Sequence, residues 1–471
     1  MMKTQHAIRI HPAVFVYVLA FVSPFAIYGI GIGEVGFTPI NFLSILFFPA
    51  FLMFFLFKNW SLKNLTLVGV LHLAYFVFAF LASAFATKHM AAVRGSVGYL
   101  IDFFLCYLFA VYFIQEEKQI RTVLKIFIFV GAVNAVMGLV QFGGFFFFGE
   151  MIAPPFVHFF HEEVSTKNFG YGTGLFSIAG FMKMYGFLGA GSDAFGGYTL
   201  ISLAFSMYFF QRKKNFFYAF LIVFFGITLL LSCARNAYVG TLFFFLFLYF
   251  FYRPLKEKIF QRIFKVFSLV FIVIFLVGGG YITQNMKAFE SAEIQVSATS
   301  AYKTPIFLLQ RVNPFASASF QISLVDFFWG HLKYALVHGF DNFGLGMGLQ
   351  NFDDYVSAIY GVKYGSHSDF ILTLGGSGYI GLLIQMLIIF CTIRYGLKAY
   401  YQQPRENIDS LPLFLTALFV GMVAIGIVRT FYFVPYNFLI IGLIVRLYTI
   451  KANEYREAGA IQSYNKKKNG K

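Results

Sequence analysis

Three stretches of this chain hold residue types that can do chemistry. In Gly365-Ser-His-Ser-Asp-Phe370, His367 stands two residues before Asp369 and just ahead of an apolar run. An imidazole titrates close to neutral pH, so His367 is a candidate proton acceptor, with Asp369 or Asp341 as the carboxylate to orient it. In Asn342-Phe-Gly-Leu-Gly-Met-Gly-Leu-Gln-Asn-Phe352, Gly346 and Gly348 belong to a glycine series that allows close backbone approach or positive φ. In Leu231-Ser-Cys-Ala-Arg-Asn236, Arg235 stands at the mouth of an apolar run, where its bland role is to anchor the helix to lipid head groups.

The elements that must position these residues are membrane helices. Hydrophobic residues make up 59% of the 471 residues and charged residues 12%, against roughly a quarter charged in soluble domains. Apolar runs recur, each near the ~20 residues that a helix needs to cross the hydrocarbon core. They are continuous rather than alternating, which argues against an outer-membrane barrel. The expected fold is an all-α polytopic membrane protein of about twelve spans. These lie near 13–33, 39–57, 65–86, 97–115, 122–147, 194–211, 215–232, 236–252, 264–282, 377–396, 410–429 and 431–449. No cleavable signal peptide is expected, since the first run is long enough to remain as a span.

Charge sets the expected orientation. With both termini cytoplasmic, the cytoplasmic segments collect most of the 36 Lys and Arg, including Arg212-Lys213-Lys214 and Lys466-Lys467-Lys468. The net charge of +16 is then an orientation signal, and nucleic acid is not an expected partner. Two long segments face outward: one over 149–193, and a large loop over 284–376 between spans nine and ten. The domains expected are thus 1–283 (nine spans), 284–376 (the loop with the glycine and His motifs), 377–450 (three spans) and a basic cytoplasmic tail, 451–471. Within the loop, Gln321 to Val337 is helix-like, with His331, Tyr334 and His338 on or near one face.

Other patterns weigh less. The glycine series follows no buried strand, so a dinucleotide loop is not expected. His158, His161, Glu162 and Glu163 lack further ligands for a metal. Cys106, Cys233 and Cys391 imply neither metal spacing nor disulfides. Asp102 is an acid inside a span, a transport site or a local pair.

In order and placement these motifs resemble the O-antigen ligase and O-antigen polymerase superfamily. Gly346-Met-Gly348-Leu-Gln-Asn-Phe352 is similar to its Gly-x-Gly-x-x-x-Phe stretch, His367-Ser-Asp-Phe370 to its His-Asn/Ser stretch, and Gly378-Tyr-Ile-Gly381 to the Gly-x-x-Gly opening the next helix. Ser232 and Arg235 resemble a Ser-Arg pair at the outer end of a span, with Ala234 in the Ser position. Lys183-Met-Tyr-Gly186 resembles an Arg-x-x-Gly stretch, with Lys for Arg. A further family Arg has no counterpart at the expected distance from Gly346; Arg311 is its substitute if the loop is rearranged.

The resemblance implies a glycosyltransferase of the bacterial inner membrane. Its donor is a glycan on undecaprenyl diphosphate, and its acceptor a glycan or lipid A core; no sugar nucleotide, metal or other cofactor is required. His367 is the implied base and Arg235 the implied cation for the leaving diphosphate, since guanidinium is always charged and forked for phosphate oxygens. Arg311, Lys183 and Arg429 are further candidates for diphosphate or glycan, beside Gly346, Gly348 and Asp369. The alternative is a flippase for lipid-linked oligosaccharide. That function favours charges within several spans, repeated halves and short loops.

Overall fold

The computed structural model describes residues 11–25, 30–32, 35–37, 39–57, 65–148, 184, 186–187, 192–232, 234–252, 266, 330–349, 351–352, 355–356, 368–403, 408–428 and 434–469. The expected ninth span, apart from residue 266, and the outer segment 149–183 lie outside these residues.

What is described is almost entirely helical. The helices are α1 (Ala13–Val22), α2 (Pro39–Phe57), α3 (Leu67–Ser83), α4 (His89–Asp102), α5 (Phe109–Phe113), α6 (Glu117–Phe148), α7 (Ser192–Lys213), α8 (Phe216–Leu231) and α9 (Arg235–Phe251). After them come α10 (330–338), α11 (Asp369–Tyr401), α12 (Leu411–Val428) and α13 (Pro435–Asn469). One short antiparallel hairpin, β1 (Ile30–Ile32) with β2 (Val35–Phe37), pairs Gly31 with Gly36. Three helical stretches are long and apolar enough to cross a membrane: His89–Phe113, Glu117–Gly144 and Asp369–Tyr401. The first is continuous through a π-helical stretch, Phe103–Leu108, that joins α4 to α5.

The helix ends follow local chemistry. Thr66 caps α3 by accepting from Gly69 N at 3.3 Å, and Asn215 caps α8 by accepting from Phe217 N at 3.0 Å. The first and tenth expected segments are among those that differ. The first run ends as a helix at Val22, ahead of Ser23-Pro24, and Ile30–Ile32 of its remainder form the first strand of the hairpin. The tenth begins at Asp369 rather than 377, because Ser368 accepts from Ile371 N and starts the helix inside the expected loop.

Burial sorts the helices. Residues on all sides of α7 and α12 are buried, so these helices are central. α8 instead exposes Phe216, Phe220, Val223 and Ile227 along one stripe, as a helix against lipid does. Close packing relies on small residues. Gly240 of α9 and Gly421 of α12 approach so nearly that a Cβ on Gly421 would stand 2.6 Å from the Gly240 carbonyl oxygen.

A charged cluster marks one end of the bundle. Asp409 accepts from Arg121 at 2.6 Å and from Arg212 at 3.0 Å, while Lys451 meets Glu117 at 2.7 Å and Arg121 also pairs with Glu117. Beyond the end of α11, Gln403 exchanges hydrogen bonds with the Asp409 backbone. The other end of α11, from Gly378, lies roughly 35 Å away at 1.5 Å per residue. There it meets the glycine series.

Candidate functional site

The site is assembled backbone against backbone. α11 breaks at Gly378, whose φ of 67° and ψ of −172° suit glycine alone. The break leaves carbonyls on the preceding turn open to an outside donor. Met347 N donates to the Gly375 carbonyl at 2.9 Å and Gly348 N to the Gly376 carbonyl at 2.7 Å. Contact this close excludes side chains. A Cβ on Gly346 would stand 2.5 Å from Gly378 N, and the φ of Gly346 is itself +75°. Gly346 and Gly348 thus serve the docking of the loop onto α11 through close approach, as their type suggests.

Side chains lock the loop from both sides. Asn342 Nδ2 donates to the Gly346 carbonyl at 2.8 Å. Asn351, almost fully buried, donates to the Met347 carbonyl and accepts from Thr87 Oγ1 at 2.9 Å and Lys88 N at 3.1 Å, which ties the loop to the α3–α4 corner. The ring of Phe352 lies flush against Gly375. α10 packs through Ala335 and Gly339 onto Leu374 and Tyr379. The signal for Asn351 is present in the sequence, as a polar residue inside the motif, but its partners some 260 positions away are not.

Asp369 is fully buried at the first turn of α11, where a carboxylate also favours the helix dipole. It lies against Gly426 of α12, at which a Cβ would stand 2.6 Å from Asp369 Oδ2. α12 reaches α9 through Gly421 and Gly240, so the first turn of α9, which Arg235 opens, belongs to the same end of the bundle. Asn236, the next residue, is buried, and neither its amide nitrogen nor its oxygen has a hydrogen-bond partner. The described elements therefore bring the first turns of α9 and α11, the end of α12 and the glycine loop to one end. His367, Arg311, Lys183 and Arg429 lie outside the described residues, as do His158 to Glu163 and the side chain of Arg235.

Asp341 has a partner among the described residues. Its Oδ2 lies 2.6 Å from His338 Nδ1, which makes it the carboxylate of His338. Tyr355 meets the His338 ring edge-on at 5.0 Å, and the Tyr334 ring lies parallel to it at 6.3 Å. The three-residue spacing explains the pairing: His338 ends α10, and the chain turns back at Gly339 to bring Asp341 beside it.

The loop also holds Asn342 and Phe343 at φ of 54° and 63°. A left-handed conformation costs a bulky residue about 1–3 kcal/mol. Both residues lie three to six positions before the docked Gly346 and Gly348.

Comparison with known protein families finds no family that matches the chain, and comparison with curated proteins finds no matching relative.

Proposed function

We propose that this chain is a glycosyltransferase of the bacterial inner membrane that acts on undecaprenyl-diphosphate-linked glycans. In this reading it is an O-antigen or exopolysaccharide polymerase or an O-antigen ligase, with both termini cytoplasmic and the glycine loop outside. The observation that carries the reading is the docking of the Gly346–Gly348 loop onto the break of α11, at the end of the bundle where α9 begins with Arg235 and α11 with Asp369. The glycine loop and the first turns of α11 there pack backbone against backbone.

In this mechanism His367 takes the proton of an acceptor hydroxyl as its oxygen bonds to the anomeric carbon of the donor sugar. The bond from that carbon to the diphosphate oxygen breaks, and the lipid diphosphate departs with the electron pair. Arg235 stabilises the leaving charge, assisted by Arg311, Lys183 and Arg429. The acceptor, a growing glycan or lipid A core, decides between polymerase and ligase; polymerase is favoured because the second family Arg lacks its counterpart.

The test is complementation of a deletion strain with His367→Ala and Arg235→Ala, each checked for normal insertion. The expected result is loss of surface polysaccharide in both. Accumulated single lipid-linked repeat units identify a polymerase, and long carrier-linked chains left unattached identify a ligase. Full restoration by both variants overturns the assignment of these residues. Repeat units trapped on the cytoplasmic face favour a flippase instead.

A further inference from the structure

We infer that the tip of the glycine loop, with Phe340 and Phe343 at its point, inserts into the acyl region of the adjacent leaflet and anchors the loop to the bilayer. The inference starts from α11. Below its break, Leu383, Met386, Leu387 and Phe390 are all exposed; the last three lie three, four and seven residues after Leu383, on one face. Large apolar side chains exposed along a membrane-spanning helix face lipid. Tyr379 stands four residues before Leu383 and so continues the same stripe upward, at the place where an amphipathic ring suits the interface.

The loop extends that stripe. The Phe340 ring packs on the Tyr379 ring with centroids 4.0 Å apart, and the Tyr379 hydroxyl donates to the Leu336 carbonyl at 3.2 Å. Leu336, Val337, Phe340 and Phe343 are all exposed; Phe340 is 68% and Phe343 94% accessible. Among the described residues the lipid-facing stripe of α11 thus passes without interruption onto a loop that the sequence assigns to water. Lys333, one turn before Val337 and also exposed, has the long stem and charged head that reach from an apolar layer to head groups. The loop backbone fixes Phe343 in a left-handed conformation that its own contacts with protein do not explain, since nearly all of its side-chain surface is free. Acyl chains of bilayer lipid are the occupant that matches an apolar tip at this depth, continuous with a lipid-facing helix.

The experiment uses the full chain in nanodiscs, with native Trp60 and Trp329 replaced by Phe. Single reporters are introduced as Phe343→Trp, Phe340→Trp and Phe390→Trp, the last on the α11 stripe. Fluorescence is compared between ordinary phospholipids and the same phospholipids with brominated acyl chains. The expected result is quenching of the Phe343→Trp and Phe340→Trp reporters to an extent comparable with Phe390→Trp. Quenching at Phe390→Trp but at neither loop position overturns the inference. So does loop quenching that is lost when unbrominated undecaprenyl phosphate is added while Phe390→Trp stays quenched, which would make the isoprenoid chain the preferred occupant. Shielding of the loop reporters from aqueous acrylamide that rises with protein concentration, without bromine quenching, assigns the tip to a second copy and equally overturns it. None of these outcomes depends on glycosyl transfer.

Discussion

Gly346 shows how much one residue type can decide. Its backbone is left-handed, and the space of its missing Cβ is occupied by the backbone of Gly375 to Gly378. Gly346→Ala is expected to lower stability by about 1–3 kcal/mol, from backbone strain and from loss of the close contact. Gly98, within α4, is the internal control, because a Cβ there meets nothing within 4 Å. Gly98→Ala is expected to be neutral or stabilising by up to about 1 kcal/mol. Thermal unfolding of both variants in detergent checks the pair: equal midpoints would show that the loop does not depend on its glycine. The same scale shows Asp341 paired with His338, three residues away and around a turn.

At the scale of elements, the site depends on helices whose backbones touch. α9 and α12 cross at Gly240 and Gly421, and this crossing brings the first turn of α9 to the height of Gly426 and Asp369. Gly421→Leu forces the helices apart. It is expected to destabilise by about 1–3 kcal/mol, as overpacking of a dense interior does, and to reduce function in complementation despite normal insertion. Denaturation in detergent measures the first effect and surface polysaccharide the second. A variant of wild-type stability would show that the crossing is not tight. The break in α11 acts at this scale too. An unbroken helix would satisfy its own carbonyls and offer the loop no acceptors.

The whole molecule has two unlike ends, one built from backbone and glycine, the other from charge. At the charged end, burial by itself would raise the Asp409 carboxyl. The hydrogen bonds with Glu117 and Leu411 N and the Arg121 guanidinium outweigh it, and hold Asp409 below its ordinary 3.8. A group depressed on folding contributes stability above its unfolded pKa and loses it as pH falls through the folded value. The midpoint in detergent is therefore expected to fall as pH drops below 3.8. Asp409→Asn should be about 3 kcal/mol less stable at neutral pH, as expected when one partner of a largely buried ionic network is removed, and should show a shallower decline on the acid side. Parallel acid profiles for the two proteins would show that Asp409 does not contribute to that decline.

The sequence by itself determined that the described residues are mostly helix, because continuous apolar runs and caps such as Thr66 and Asn215 are local facts. It also singled out the glycine series and Asp369 by residue type and spacing. It did not reveal that α1 stops at Val22 before a hairpin, or that Ser368 starts α11 inside the expected loop. In both cases a short polar or Pro signal outweighs apolar length. Only the tertiary structure decided that the Gly346–Gly348 loop donates to the carbonyls of Gly375 and Gly376, that Asn351 ties it to Thr87 and Lys88, and that Phe343 is left bare at the tip. The physical reason is the same for each. These contacts join backbone atoms and side chains far apart in the chain, or expose a side chain by a fold of the backbone. Composition and periodicity register neither.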